Sequence, residues 1–174
     1  MQDSRQKTAR SWTWGVLPAF VVSRIRNNPG DFRPGQILDF GCGAGTITTQ
    51  MALRLEDLER FQVVGYDLDC PESDLDEDYS LIHASSVLNV QESEEDLSHT
   101  LDDLIRAARR SDGTVAPIFA SYPKEPRKLG YGVYDLMERI ARHRGIHGVT
   151  WHEPGKKTTT TVLEIRAGTQ DAYN

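Results

Sequence analysis

Gln36-Ile37-Leu38-Asp39-Phe40-Gly41-Cys42-Gly43-Ala44-Gly45-Thr46 is the stretch that decides how the rest of the chain is read. A short apolar run enters a glycine-rich turn, and Ile47, Met51, Leu55 and Leu58 then recur at helical spacing, which together spell strand, turn and helix. Glycines in such a turn permit tight backbone geometry and let a ligand approach the main chain with no side chain between. The start of the following helix offers unpaired N–H groups to anions. Downstream, the apolar run Phe61 to Tyr66 reads as a second buried strand and ends in Asp67, 22 residues beyond Gly45. That is close to the roughly 20-residue spacing of a ribose-binding carboxylate. Turn and carboxylate together point to a nucleoside-containing cofactor. The dinucleotide pattern is G-x-G-x-x-G, but Thr46 stands at its third glycine, so the loop reads G-x-G-x-G with Asp39 before it. A structural or NAD-binding glycine turn remains open at this point.

Outward from that core, Leu17, Phe20, Val21 and Ile25 share one helical face, and Asn27-Asn28-Pro29-Gly30 stops the helix. Asp67 to Asp78 is acidic and carries Pro71, which predicts loop. Leu81 to Val90 is strand-like in its first half. Ser93-Glu94-Glu95-Asp96 has the form of a capping box opening a helix through Leu97, Leu101, Leu104, Ile105 and Ala108. Thr114 to Ser121 is the next strand, with Pro117 demanding either a bulge or a shorter element. A helix over Val133 to Arg144, a strand over Ile146 to His152 and a strand over Thr158 to Arg166 complete the order. Strands alternating with helices at these lengths predict an α/β sheet with helices on both faces. Residues 1–34 are expected to form an N-terminal segment and cap helix, and residues 35–174 the Rossmann-like domain.

The 174 residues are 38% hydrophobic and 26% charged, the balance of a folded domain with one core rather than a disordered chain. No apolar run approaches the about 20 residues of a membrane span, and the polar start Met1-Gln2-Asp3-Ser4-Arg5 lacks the apolar stretch of a secretory leader. Two cysteines, Cys42 and Cys70, make neither a disulfide framework nor a zinc site. A reducing, cytoplasmic setting without membrane is therefore expected. The net charge of −6 is uneven: +4 over residues 1–34, −13 over 35–122, +4 over 123–157 and −1 over 158–174. Basic flanks around an acidic middle hint at an anionic partner, although such runs are also ordinary solvated faces.

The loop and the Asp67 spacing resemble motif I of the class I S-adenosylmethionine-dependent methyltransferases, with Asp67 in the place of their ribose-binding acid. Tyr79 to Val90 resembles that superfamily's fourth strand and the loop beyond it, and the likeness covers about residues 35–166. It implies a Rossmann-like class I methyltransferase sheet of order 2-1-4-5-7-6 with strand 7 antiparallel. The third-strand unit is missing, because only Leu68 to Asp78 fills that gap. It also implies S-adenosylmethionine as cofactor. Asp39, Gly41, Cys42, Gly43 and Gly45 would form its loop, Asp67 and Leu68 would meet the ribose side, and Ser85 and Ser86 would close the site.

Methyl transfer displaces a sulfonium carbon that is already activated, so alignment can suffice and no catalytic residue is assigned. Trp12, Trp14, Asn89, Tyr122 and Lys124 are the candidate acceptor contacts, the aromatics by stacking and Lys124 by receiving an anion. The tryptophans serve equally well as packing for the first helix. His83, inside an apolar strand, reads as a satisfied core histidine. No metal is expected, since neither H-x-E nor C-x-x-C spacing occurs. The acceptor is open among an anionic small molecule, a nucleotide and a nucleic-acid end, and a protein partner is a further option. Ser85-Ser86-Val87-Leu88 is not the Asn-Pro-Pro-Tyr type of amino methyltransferases, and no cysteine beyond that strand resembles the cytosine C5 enzymes. Two rival readings stand beside the methyltransferase: a non-catalytic module of the same fold that recruits a partner, and an NAD-dependent oxidoreductase.

Overall fold

The computed structural model describes residues 15–68, 74–124, 128–153 and 158–169. Six strands, β1 (Gly35–Phe40), β2 (Phe61–Tyr66), β3 (Tyr79–Ala84), β4 (Ile118–Pro123), β5 (Ile146–His152) and β6 (Thr160–Ala167), form one sheet in the order β2-β1-β3-β4-β6-β5. β1 to β4 pair in parallel, and β6 runs antiparallel to both β4 and β5. This is the strand order the resemblance implied, with β2 followed directly by the strand that occupies the fourth place in the superfamily. The sheet therefore has an edge at β2 among the described residues.

Helices cover both faces, and alternation along the strands decides which. Ile37, Leu81, Phe119 and Val162 point to the face that α1 (Val16–Asn27) and α2 (Thr46–Leu55) cover with Leu17, Val21, Ile25, Ile47, Met51 and Leu55. The alternate residues Leu38, Ile82, Ile118, Leu163 and Ile165 meet α3 (Glu94–Ala108) and α4 (Val133–Arg142) through Leu97, Leu101, Leu104, Leu136 and Ile140. β3 lies at the centre and is buried at every residue, as a strand covered on both faces must be. α1 is fastened to α2 by Arg26, which donates to both oxygens of Asp57 at 2.7 and 2.8 Å and to the Arg54 carbonyl.

Local chemistry sets the boundaries. The Ser93 hydroxyl accepts the Asp96 N–H at 3.0 Å and starts α3, which satisfies one of the unpaired N–H groups of that terminus. Pro117 stays outside β4 rather than bulging it: the strand starts one residue later, and the Pro117 carbonyl accepts the Ile82 N–H at 3.0 Å. Proline lacks a ladder donor but keeps its acceptor. No helix of the described residues is long and apolar enough to cross a membrane.

Candidate active site

The parallel strands end together. Asp39 lies opposite Gly65 and His83, and His83 opposite Phe119, so Phe40, Tyr66, Ala84 and the end of β4 reach one edge. Open α/β sheets bind ligands at that edge. Gly41, Gly43 and Gly45 have φ of 76°, 56° and 72°, a backbone that side chains other than glycine adopt at a cost. The Gly41 and Cys42 N–H groups both donate to the Tyr66 carbonyl, at 2.7 and 3.0 Å. The Gly43 N–H donates to Asp67 Oδ2 at 3.0 Å. Loop and carboxylate, separated in the sequence, are therefore one hydrogen-bonded unit. A Cβ at Gly45 would meet nothing within 4 Å, so the turn leaves open space where a ligand can approach the main chain. Gly45 also caps α2 without a side-chain hydrogen bond, and the first turn of α2 carries no acidic residue, which leaves its N–H donors suited to an anionic group. These features fit a nucleoside cofactor carrying a charged tail.

Asp39 is in a different position. It is buried, and its carboxylate is engaged on both sides, accepting the Thr48 hydroxyl at 2.6 Å and facing His83 Nδ1 at 2.7 Å. The carboxylate thus braces the loop from beneath, between β1, β3 and α2. A carboxylate only accepts, so the pairing puts a ring N–H at Nδ1 and leaves Nε2 to other partners. That Nε2 is buried without a partner among the described residues. His83 is half-satisfied rather than the satisfied core histidine its apolar strand predicted.

Ser85 and Ser86 follow β3, half-buried, and Ser86 is the one described residue other than glycine with positive φ, at 60°. Its N–H donates to Ser121 Oγ at 2.8 Å, which ties the loop after β3 to β4. Non-glycine residues hold such a conformation only where the surroundings enforce it. Leu68 and Asn89 are half-buried, and Asn89 Oδ1 lacks a partner among the described residues. Trp12 and Trp14 lie outside the described residues.

Tyr122 corrects an expectation. Instead of facing an acceptor, its ring is buried against α4 and its hydroxyl donates to the Tyr131 carbonyl at 2.9 Å. Burial, with Tyr131 alongside, pushes its pKa up to about 12. Its work is to anchor residues 128–132, and nothing in a single sequence distinguishes that from a substrate contact. Lys124, by contrast, is exposed at the carboxyl edge, 3.3 Å from Glu153. Sequence reasoning missed Gly65, where a Cβ would come 2.9 Å from Cys42 Sγ. The signal was present: a glycine inside an apolar strand marks a close approach.

No family model matches the sequence, and no curated protein does. Solved structures do match. An S-adenosylmethionine-dependent methyltransferase from Clostridium acetobutylicum has a TM-score of 0.54 at 10% identity, over 88% of this chain and 91% of that one. An N-methyltransferase from Bradyrhizobium japonicum has 0.52 at 13%, over 87% and 96%. The magnesium protoporphyrin IX methyltransferase from Synechocystis, solved with bound cofactor, has 0.51 at 17%, over 86% and 78%. A longer chain from Nostoc punctiforme is matched over 57% of its own length, at a TM-score of 0.52 and 10% identity. With its strand order, its antiparallel β6 and its glycine turn at β1, the chain has the class I methyltransferase fold.

Proposed function

We propose that the chain is a methyltransferase using S-adenosylmethionine, acting on an anionic acceptor in a reducing, cytoplasmic setting. The observation that carries this reading is the Gly41–Gly45 turn joined to Asp67 through the Gly43 N–H. The turn and the α2 terminus would hold the amino-acid end of the cofactor, and Asp67 with Leu68 would meet its ribose. Ser85 and Ser86 would close the crevice from the β3 side. The bound cofactor supplies an activated methyl group, so these residues need only bind, orient and exclude water. Asp39, braced by Thr48 and His83, keeps the turn in register from below.

Calorimetric titration of the purified chain with S-adenosylmethionine, with NADH as control, tests the reading. Micromolar binding of the first alone is expected. Gly43→Val should abolish it while far-UV circular dichroism stays near wild type, because the new side chain stands where the ligand approaches. The positive φ of Gly43 means that the melting midpoint falls as well, so binding is measured well below it. A retained affinity in that variant would remove the loop assignment. A second reading, a non-catalytic module that recruits a partner, draws on the short link of 12 residues between β2 and β3, in which the described residues form no third-strand unit. Absence of heat with either ligand, together with stable co-elution of another subunit, would favour it. Heat with NADH alone would favour an oxidoreductase.

A further inference from the structure

On the α4 side of the carboxyl edge, Lys124, Val133, Tyr134, Trp151, Glu153 and Thr161 line a pocket of about 250 Å³. Three elements build it. The end of β4 carries Lys124, whose N–H donates to the Thr159 carbonyl at 2.8 Å and so continues the pairing with β6. The first turn of α4 carries Tyr134, and β5 carries Trp151 opposite Leu163, on the α4 face. Tyr134 and Trp151 are two of the three large hydrophobic side chains exposed among the described residues, at 71% and 39%. Their rings stand 6.1 Å apart at 80°, an open corner in which a third ring can stack on one face and meet the other edge-on. Exposed aromatic surface gathered at one spot marks a binding site more often than scattered exposure does.

We propose that this corner binds the ring of the methyl acceptor, and that the acceptor is a single planar aromatic bearing a carboxylate or similar anionic group. The proposal rests on the methyltransferase reading above. The volume is below the 300–1,000 Å³ of drug-sized ligand sites, which suits one ring. The charge follows from Lys124: Glu153 is its one acidic partner among the described residues, and an ammonium has three donors. The placement fits as well. Ser121 holds the Ser86 N–H three residues before Lys124, so the pocket opens on the same edge as the glycine turn. β4 is two strand spacings from β1, roughly 10 Å, so the Lys124 wall of the pocket is the one that lies towards the glycine turn, with Trp151 further out on β5.

The test titrates 4-hydroxybenzoate into the full chain without cofactor, by calorimetry and by the indole N–H resonance that Trp151→Phe identifies. Cyclohexanecarboxylate, with the charge and no π face, and 4-hydroxybenzyl alcohol, with the ring and no charge, are the controls. The expected result is a submillimolar Kd at least 10-fold below both controls, a shifted Trp151 resonance, and at least 10-fold weaker binding in Trp151→Ala and in Lys124→Met. Lys124 is exposed, so the midpoint of Lys124→Met should stay near wild type. Trp151 is 39% exposed, so Trp151→Ala is expected to lower the midpoint. It is read alongside Trp151→Phe, which keeps a ring and should keep most of the binding. Equal binding of all three probes, preference for the cation tyramine, or undiminished binding in Trp151→Ala would overturn the proposal. Conversion of a dimer to a monomer by Trp151→Ala in sedimentation would also overturn it, assigning the corner to self-association. Benzoate binding without any S-adenosylmethionine binding would remove the acceptor role and the methyltransferase reading while leaving the aromatic site. Cofactor binding without benzoate binding would sink the pocket alone.

Discussion

The β2-β1-β3 part of the sheet and the β4-β6-β5 part meet at the same edge, yet they present opposite surfaces there. On the first, polar groups are buried and tied to one another: Asp39 to Thr48 and His83, Asp67 to the Gly43 N–H. On the second, the edge carries exposed rings and a loosely paired Lys124 and Glu153. A buried network rigidifies because every missing partner is costly, whereas exposed ion pairs add little. The contrast assigns the first part to holding a fixed shape and the second to meeting something from solution.

The sharpest way to break that comparison is to cut the carboxylate under the glycine turn. Asp39→Ala leaves His83 buried with neither nitrogen partnered and takes the acceptor from Thr48. Orphaned buried groups cost about 1–3 kcal/mol each, so a loss of about 3 kcal/mol in urea unfolding is expected, with cofactor affinity falling in parallel. Lys124→Met at the other end should shift unfolding by under about 0.5 kcal/mol. Equal costs at the two positions would erase the distinction between a structural and a receptive half.

Gly65→Ala comes next in size. The added Cβ would stand 2.9 Å from Cys42 Sγ and 3.3 Å from Cys42 Cβ, and overpacking of this kind costs about 1–3 kcal/mol. Coupling is the informative quantity. With Cys42→Ala the worst contact disappears, so the double variant should recover part of the loss, and additive effects would mean that Gly65 matters for some reason other than Cys42.

These two halves also differ in how far the sequence reveals them. The glycine turn was legible because its signal is local: Gly41, Gly43 and Gly45 lie within one turn, and Asp67 follows at a spacing set by one βαβ unit. Strand order followed from the resemblance that those residues carry. The Tyr134–Trp151 corner was not legible, since it exists only after β6 pairs with both β4 and β5 and α4 docks over them. The roles of Asp39 and Tyr122 escaped for a related reason. Residue type and position in a strand say that a group lies near the edge, but whether it faces solvent or a buried partner such as His83 or the Tyr131 carbonyl depends on neighbours distant in the chain.

A smaller effect is expected where the halves are stitched together. Ser121→Ala deprives the Ser86 N–H of its acceptor, a loss of about 1 kcal/mol for one hydrogen bond. Because Ser86 is held at positive φ, the loop after β3 should then relax toward ordinary backbone. Hydrogen exchange at residues 85–88 reports this directly, and faster exchange there with unchanged exchange in α3 is the expected pattern. Uniform acceleration would indicate global destabilisation instead and would deny the loop its separate tether.

Glu164 is the one buried acid on β4, β5 or β6 among the described residues, and it gives the mildest test. Burial opposes its ionisation, but Arg166 at 3.0 Å and His152 at 3.1 Å hold its carboxyl below the usual carboxylate range. A carboxylate whose folded pKa is depressed adds stability that is present above its ordinary pKa and is lost as pH falls through the folded value. Glu164→Gln should therefore lower the melting midpoint at pH 7 and lower it less at pH 3, where wild type has begun to lose the same contribution. Arg166 is largely exposed, so water screens the pair and the whole effect should stay well under about 1 kcal/mol. A deficit that does not shrink on acidification would mean that Glu164 serves by packing and neutral hydrogen bonds. The buried acid of the receptive half would then lack the charge-paired support that its pH dependence is meant to reveal.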